Sequence, residues 1–142
     1  MTESLYLDTS VIVALLTDDA LHTRADRFFR DDRPILMISD FASAEFAAVI
    51  ARRVRVGAVA PDRARTGFSL LDAWIARSAT RVEISAADVA VADALLRRLD
   101  LPLVTPDAIH IAIAQRIEAT LVTFDRQMEA GARALGMAVA MP

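Results

Sequence analysis

The alternation of apolar and polar segments along the 142-residue chain predicts short strands separated by helices. The predicted strands are mostly continuous apolar runs, at residues 4–8, 35–39, 80–84, 120–124 and, near the end, 137–141. The predicted helices are residues 10–17, 20–31, 40–54, 61–78, 85–100, 105–117 and 125–136. This order is typical of an α/β fold in which helices cover both faces of a mainly parallel sheet of four or five strands.

Three of the predicted helices begin at residues that favour a helix start. Pro61 suits the first position of its helix, because its missing N–H would have no partner there. Ser85 and Asp88 have the spacing of a capping box, and Asp40 is the candidate cap of the helix over 40–54.

Composition narrows the class of protein. The chain has no cysteine, which excludes disulfides, thiolate catalysis and cysteine-ligated zinc. Its length and its apolar content of 55% favour one domain over residues 1–142. It has neither a run of about 18 apolar residues nor a basic signal segment, so we expect a cytoplasmic protein without a membrane anchor.

The net charge of −3 provides no general attraction for nucleic acid. All 16 basic residues are arginine, and three of them, Arg52, Arg53 and Arg55, form a cluster. This cluster either stabilises the C-terminal end of its helix or contacts RNA phosphates.

Glu45 is an acid in the middle of a largely apolar helix, where it shares a face with Phe41, Ala42 and Val49. An unpaired carboxylate there would cost several kcal/mol, so we expect a compensating partner. If that partner is a metal ion, Glu45→Gln should leave the metal-free stability unchanged or raise it.

Three further acids are predicted to lie near Glu45. Asp8 ends the first strand, Asp125 follows the strand over 120–124, and Asp107 lies at the second position of its helix. Sites in open α/β sheets form at the carboxyl ends of the strands, so all four side chains can reach one crevice. Mg²⁺ or Mn²⁺ would neutralise such a cluster, and it could activate water for phosphodiester hydrolysis. The pattern therefore indicates a metal-dependent nuclease.

Each of these acids except Glu45 also has a purely structural interpretation. Asp8 and Asp125 are suitable helix N-caps, and the helix dipole favours Asp107 in a first turn. Four neighbours are weaker candidates for a supporting role: Thr9, Ser10, Thr123 and His110. Helix capping, strand propensity and burial in the core are the structural alternatives for them.

Four segments in this order resemble a PIN domain, and among PIN domains the VapC-type toxins of toxin–antitoxin pairs. They are "LYLDTSVIVAL", "ISDFASAEF", "PDAIHIAIA" and "LVTFDRQM". The resemblance implies a three-layer α/β/α sandwich and an endoribonuclease that depends on Mg²⁺ or Mn²⁺. It places the acidic quartet at Asp8, Glu45, Asp107 and Asp125, with Thr123 as a hydroxyl companion. It also implies a homodimer, an antitoxin partner, and structured RNA such as tRNA or rRNA as the substrate.

Other classes fit less well. A receiver domain also gathers aspartates at strand ends, but it needs a lysine, and the chain has none. A P-loop NTPase needs a Gly-Lys-Ser/Thr motif, which is missing. One alternative stays open, a noncatalytic PIN-like binding module whose acidic pocket grips a basic partner peptide.

Overall fold

The computed structural model describes residues 2–31 and 33–142 and has an α/β fold. Its strands are β1 Ser4–Leu7, β2 Ile35–Ser39, β3 Thr80–Val82, β4 Thr120–Val122 and β5 Val139–Ala140. Its helices are α1 Thr9–Leu16, α2 His22–Phe28, α3 Asp40–Arg55, α4 Pro61–Ser78, α5 Ala86–Arg97, α6 Thr105–Arg116 and α7 Arg126–Ala134. No helix in these two described ranges is long and apolar enough to cross a membrane.

The five strands form one parallel sheet in the order β3-β2-β1-β4-β5. The central strand β1 pairs with β2 on one side and β4 on the other, with Tyr6 opposite Met37 and Leu121. The prediction of a mainly parallel sheet is therefore confirmed, and the segment near the end of the chain supplies a fifth strand. Parallel strands end at the same edge, so the residues that follow them lie near one another.

Helices cover both faces of the sheet, which confirms the three-layer α/β/α arrangement. Side chains alternate along β1, so Leu5 and Leu7 pack into one core cluster and Tyr6 into the other. The first cluster takes buried residues from α1, α3 and α4, and the second takes them from α5, α6 and α7.

Most predicted helix starts agree with the structure. Pro61 begins α4, and Ser85 and Asp88 form a reciprocal capping box at α5. The prediction for α3 is wrong by one residue, because Ser39 is the cap and its Oγ accepts a hydrogen bond from the Ala42 N–H. Asp40 is the first residue of α3 and accepts from the N–H groups of Phe41 and Ile84.

Several predicted elements are longer than the observed ones. The helix predicted over 20–31 spans only His22–Phe28. It starts later than predicted because Asp19 Oδ1 accepts the Leu21 N–H and holds the residues before His22 in a turn. Helix α5 stops at Arg97, and Leu99 then adopts a left-handed φ of 64°. The strands predicted over 80–84 and 120–124 end at Val82 and Val122, where their ladders with neighbouring strands end.

Candidate active site

A small cavity of about 140 Å³ lies at the carboxyl edge of the sheet. All four predicted acids line it: Asp8 after β1, Glu45 on α3, Asp107 on α6 and Asp125 before α7. The rest of its lining is Thr9, Ser10, Pro106, His110 and Met128. The structure thus brings together four carboxylates from four separate segments, as the strand-end argument predicts.

Asp8 is the most heavily hydrogen-bonded of the four acids. It is 2% exposed and caps α1 through the Val11 N–H at 3.1 Å. Ser10 donates to its Oδ1 at 2.6 Å and Thr123 donates to its Oδ2 at 2.6 Å. Burial raises the pKa of Asp8 above its usual value, although these hydrogen bonds oppose the rise. The capping interpretation is correct, and it leaves Asp8 on the cavity wall.

Thr123 connects two of the acids. Its buried hydroxyl donates to Asp8, and its oxygen accepts the backbone N–H of Asp125 at 2.9 Å. Asp125 caps α7, with Oδ1 accepting from the N–H groups of Gln127 and Met128. The Thr123 hydroxyl therefore fixes the carboxylate of Asp8 and the backbone of Asp125.

Asp107 is 5% exposed and is the third residue of α6, one position later than predicted. Its Oδ2 accepts from the Val104 N–H at 3.2 Å. Burial raises the pKa of Asp107, and the negative charges of Asp125 and Asp8 raise it further. The acids therefore repel one another across the cavity, and a bound cation would relieve that repulsion.

Glu45 has two protein donors. Thr9 Oγ1 donates to Glu45 Oε1 at 2.7 Å, and His110 Nε2 lies 2.5 Å from the same oxygen. Burial raises the pKa of Glu45, but the hydrogen bonds from His110 and Thr9 outweigh this effect, so the pKa is lowered. A metal ion is therefore not needed to account for Glu45. Its side chain, 29% exposed, lies at the cavity rim and not deep in an apolar core.

His110 belongs to a series of hydrogen-bonded side chains that the sequence did not predict. Tyr6 Oη lies 2.7 Å from His110 Nδ1 and 2.7 Å from Ser39 Oγ. Tyr6, Ser39 and His110 are all buried, with exposures of 0%, 1% and 1%. Tyr6, the only tyrosine in the sequence, lies in the middle of an apolar strand. Because a buried phenol needs a hydrogen-bond partner, this position could have indicated such a contact.

The oxygen donors are of the kind that Mg²⁺ or Mn²⁺ prefers. Glu45 Oε2, Asp107 Oδ1 and Asp125 Oδ2 receive no hydrogen bond from the residues that the structure describes. Within residues 2–31 and 33–142, no three acidic or histidine side chains are close enough to enclose an ion. This arrangement fits a magnesium-type ion that keeps several waters and binds only one or two carboxylates directly.

The arginine cluster lies elsewhere. Arg53 is 3.9 Å from Asp19 and lines a larger cavity of about 510 Å³ between α1, α3 and α4, together with Arg63. None of the four acids lines that larger cavity. Whether the cluster contacts RNA stays a prediction.

The family model of the PIN domain matches residues 5–134, and the chain belongs to this family. Its fold is that of VapC toxins and VapBC complexes, as three solved structures show. VapC20 of Mycobacterium tuberculosis, a sarcin–ricin loop cleaving toxin, superposes with a TM-score of 0.75 at 22% identity and covers 97% of this chain and 99% of its own. DNA-bound VapBC from Salmonella typhimurium gives 0.70 at 18% identity, covering 99% and 98%. VapBC2 from Rickettsia felis, bound to a promoter DNA fragment, gives 0.69 at 16% identity, covering 98% and 98%. The search of curated proteins gives no significant match.

Proposed function

We propose that this protein is an endoribonuclease that depends on Mg²⁺ or Mn²⁺ and hydrolyses RNA phosphodiester bonds. The observation that carries the proposal is the convergence of Asp8, Glu45, Asp107 and Asp125 on one cavity. Membership of the PIN family supports nuclease chemistry, and the similar structure of VapC20 is that of a sarcin–ricin loop cleaving toxin.

One or two of the four acids would bind the metal ion directly and the others would hold its waters. The ion would polarise the scissile phosphate and lower the pKa of an attacking water. The other polar residues act on the acids. Thr123 and Ser10 fix both oxygens of Asp8, while Thr9 and His110 fix one oxygen of Glu45. Carboxylates held in this way need little rearrangement when an ion binds, which is the condition for efficient electrostatic catalysis.

We further propose that the protein is the toxin of a toxin–antitoxin pair that acts on cytoplasmic RNA such as tRNA or rRNA. Its partners would be an antitoxin and a second copy of the chain. The support is that the similar structures from Salmonella typhimurium and Rickettsia felis are VapBC complexes.

The test compares wild-type protein with Asp107→Asn and Asp93→Asn on an RNA mixture containing tRNA and rRNA. Asparagine at 107 keeps an acceptor for the Val104 N–H, so the fold should survive. Asp93 is exposed on α5, pairs with Arg97 alone among the described residues, and serves as the matched control. We expect cleavage with Mg²⁺ or Mn²⁺ by wild type and Asp93→Asn, and none by Asp107→Asn or in EDTA.

Cleavage that persists equally in EDTA and in Asp107→Asn would exclude the proposed chemistry. Absence of cleavage on every RNA, combined with tight binding of an arginine-rich peptide, would instead identify the noncatalytic binding module.

A further inference from the structure

The buried chain of polar groups behind Glu45 has a definite direction of hydrogen bonding. Ser39 Oγ already accepts the Ala42 N–H at 2.9 Å, and its one proton has Tyr6 Oη, at 2.7 Å, as the available acceptor. Tyr6 then directs its own proton to His110 Nδ1 at 2.7 Å. With Nδ1 accepting, neutral His110 carries its proton on Nε2, beside Glu45 Oε1.

The opposite direction leaves a proton without an acceptor. If His110 Nδ1 donated to Tyr6, then Tyr6 would donate to Ser39, and the Ser39 hydroxyl proton would have no further partner among the described residues. A buried hydroxyl proton without an acceptor is costly. Counting protons therefore selects a single direction, from Ser39 through Tyr6 and His110 to Glu45.

The imidazole ring is also held by packing. Phe41 meets His110 edge-on, with ring centroids 5.2 Å apart at 71°, and the Tyr6 ring lies 5.7 Å away at 47°. The ring is thus fixed in orientation as well as in tautomer. Its Nε2–H and the Thr9 hydroxyl both act on Oε1 of Glu45, so Oε2 is the oxygen that no described residue occupies.

We propose that Tyr6 and Ser39 are positioning residues that hold His110 as the Nε2–H tautomer, and that His110 in turn orients Glu45 so that its second oxygen can bind the metal ion. The inference rests on the proposed function for its metal, but the tautomer can be observed without any metal. Substituting a residue that orients a metal ligand through hydrogen bonds typically weakens metal binding by about tenfold or more.

The first measurement is nitrogen-15 NMR of metal-free protein labelled at histidine. The chain has only two histidines, so an His22→Asn variant assigns the signals. We expect His110 to be the Nε2–H tautomer in wild type. In Tyr6→Phe, where Nδ1 loses its donor, we expect a tautomer mixture or the Nδ1–H form. Wild-type protein with His110 as the Nδ1–H tautomer would overturn the proposal.

The second measurement is Mn²⁺ affinity, with a matched pair of serine variants to separate positioning from stability. Ser39→Ala and Ser85→Ala each remove a serine N-cap, from α3 and α5 respectively, but only Ser39 contacts Tyr6. We expect Mn²⁺ binding to weaken by about tenfold in Tyr6→Phe, by less in Ser39→Ala, and not at all in Ser85→Ala.

Equal Mn²⁺ affinity in Ser39→Ala and Ser85→Ala would overturn the proposal, and this comparison decides the matter even if Tyr6→Phe fails to fold. Neither readout depends on RNA cleavage. A protein that shows the expected tautomer and Mn²⁺ response but cleaves no RNA would refute the proposed function and support the positioning role.

Discussion

The hydroxyl of Thr123 donates to Oδ2 of Asp8 across 2.6 Å, although the two residues are 115 positions apart in the sequence. The same oxygen accepts the N–H of Asp125, so one threonine joins the ends of β1 and β4. Asp8 and Asp125 are therefore joined in one hydrogen-bond network.

Thr123→Val should be destabilising even though it preserves shape. It leaves the Asp125 N–H and one oxygen of Asp8 without their partner, which costs about 1–3 kcal/mol in a buried position. Thr120→Val, at the start of β4, is the control, because among the described residues the Thr120 hydroxyl makes only an exposed contact with Glu3. Urea denaturation should separate the two variants, and equal stabilities would contradict the network.

For Glu45, the structure changes the expected effect of substitution. Glutamine keeps an oxygen for His110 and Thr9, so Glu45→Gln should lower the metal-free free energy of unfolding by at most about 1 kcal/mol. Glu45→Ala leaves both donors without their acceptor and should cost more. Thermal denaturation in EDTA tests this order. A marked rise in stability for either variant would show that repulsion among the acids outweighs these hydrogen bonds.

Substitution of Asp107 should raise the metal-free stability, in contrast to substitution of Glu45. The reason is that burial and the charges of Asp125 and Asp8 raise the pKa of Asp107. A raised pKa in the folded state means that ionisation at neutral pH opposes folding, and this opposition disappears once the pH falls below the unfolded value of about 3.9. Asp107→Asn should therefore be more stable than wild type in EDTA at pH 7. Added Mn²⁺ should stabilise wild type more than the variant. Denaturation with and without Mn²⁺ measures both effects.

Asp88 contributes stability with the reverse pH dependence. Its carboxylate receives two hydrogen bonds from Arg116, at 2.8 and 2.9 Å, and one from the Ser85 N–H. Burial raises the pKa of Asp88, but these donors lower it overall, so its contribution is full above about pH 4 and is lost as the pH falls through the folded-state pKa. Asp88→Asn should cost about 2 kcal/mol at pH 7 and progressively less in acid.

Denaturation curves from pH 7 to pH 3 would show this convergence. Asp100→Asn is the control, because the exposed pair that Asp100 forms with Arg98 should contribute little at any pH. A constant difference in the free energy of unfolding between wild type and Asp88→Asn over the whole range would show that the charge of Asp88 does not contribute to stability.

The two helical glycines, Gly131 and Gly67, offer a test of packing on α7 and α4. A Cβ at Gly131 would lie 2.5 Å from Leu103 Cδ2, whereas one at Gly67 would meet nothing within 4 Å. Gly67→Ala should stabilise by about 0.5–1 kcal/mol through helix propensity. Gly131→Ala should instead destabilise by about 1 kcal/mol, since overpacking exceeds that gain. Thermal denaturation of both variants is the measurement, and a stabilising Gly131→Ala would show that Leu103 moves aside easily.

The sequence was sufficient for the layers of the fold, because the order of apolar runs and amphipathic segments depends on local periodicity. It also predicted that Asp8, Glu45, Asp107 and Asp125 meet, since parallel strands end at a common edge. Their catalytic role stays a prediction, as does the extent of one domain over residues 1–142. Element ends were less accurate, because turns such as the one at Asp19 depend on single hydrogen bonds.

The partners of those acids could be read only from the tertiary structure. The hydroxyls of Ser39 and Thr123 each form two hydrogen bonds. Tyr6 contacts His110, which is 104 residues away in the sequence. A hydroxyl in the sequence carries no sign of which distant oxygen it will meet, because that depends on strand order and on the rotation of each helix. The sequence determined that the carboxylates converge, and the packing of α3 and α6 on opposite faces of the sheet decided that Glu45 contacts His110.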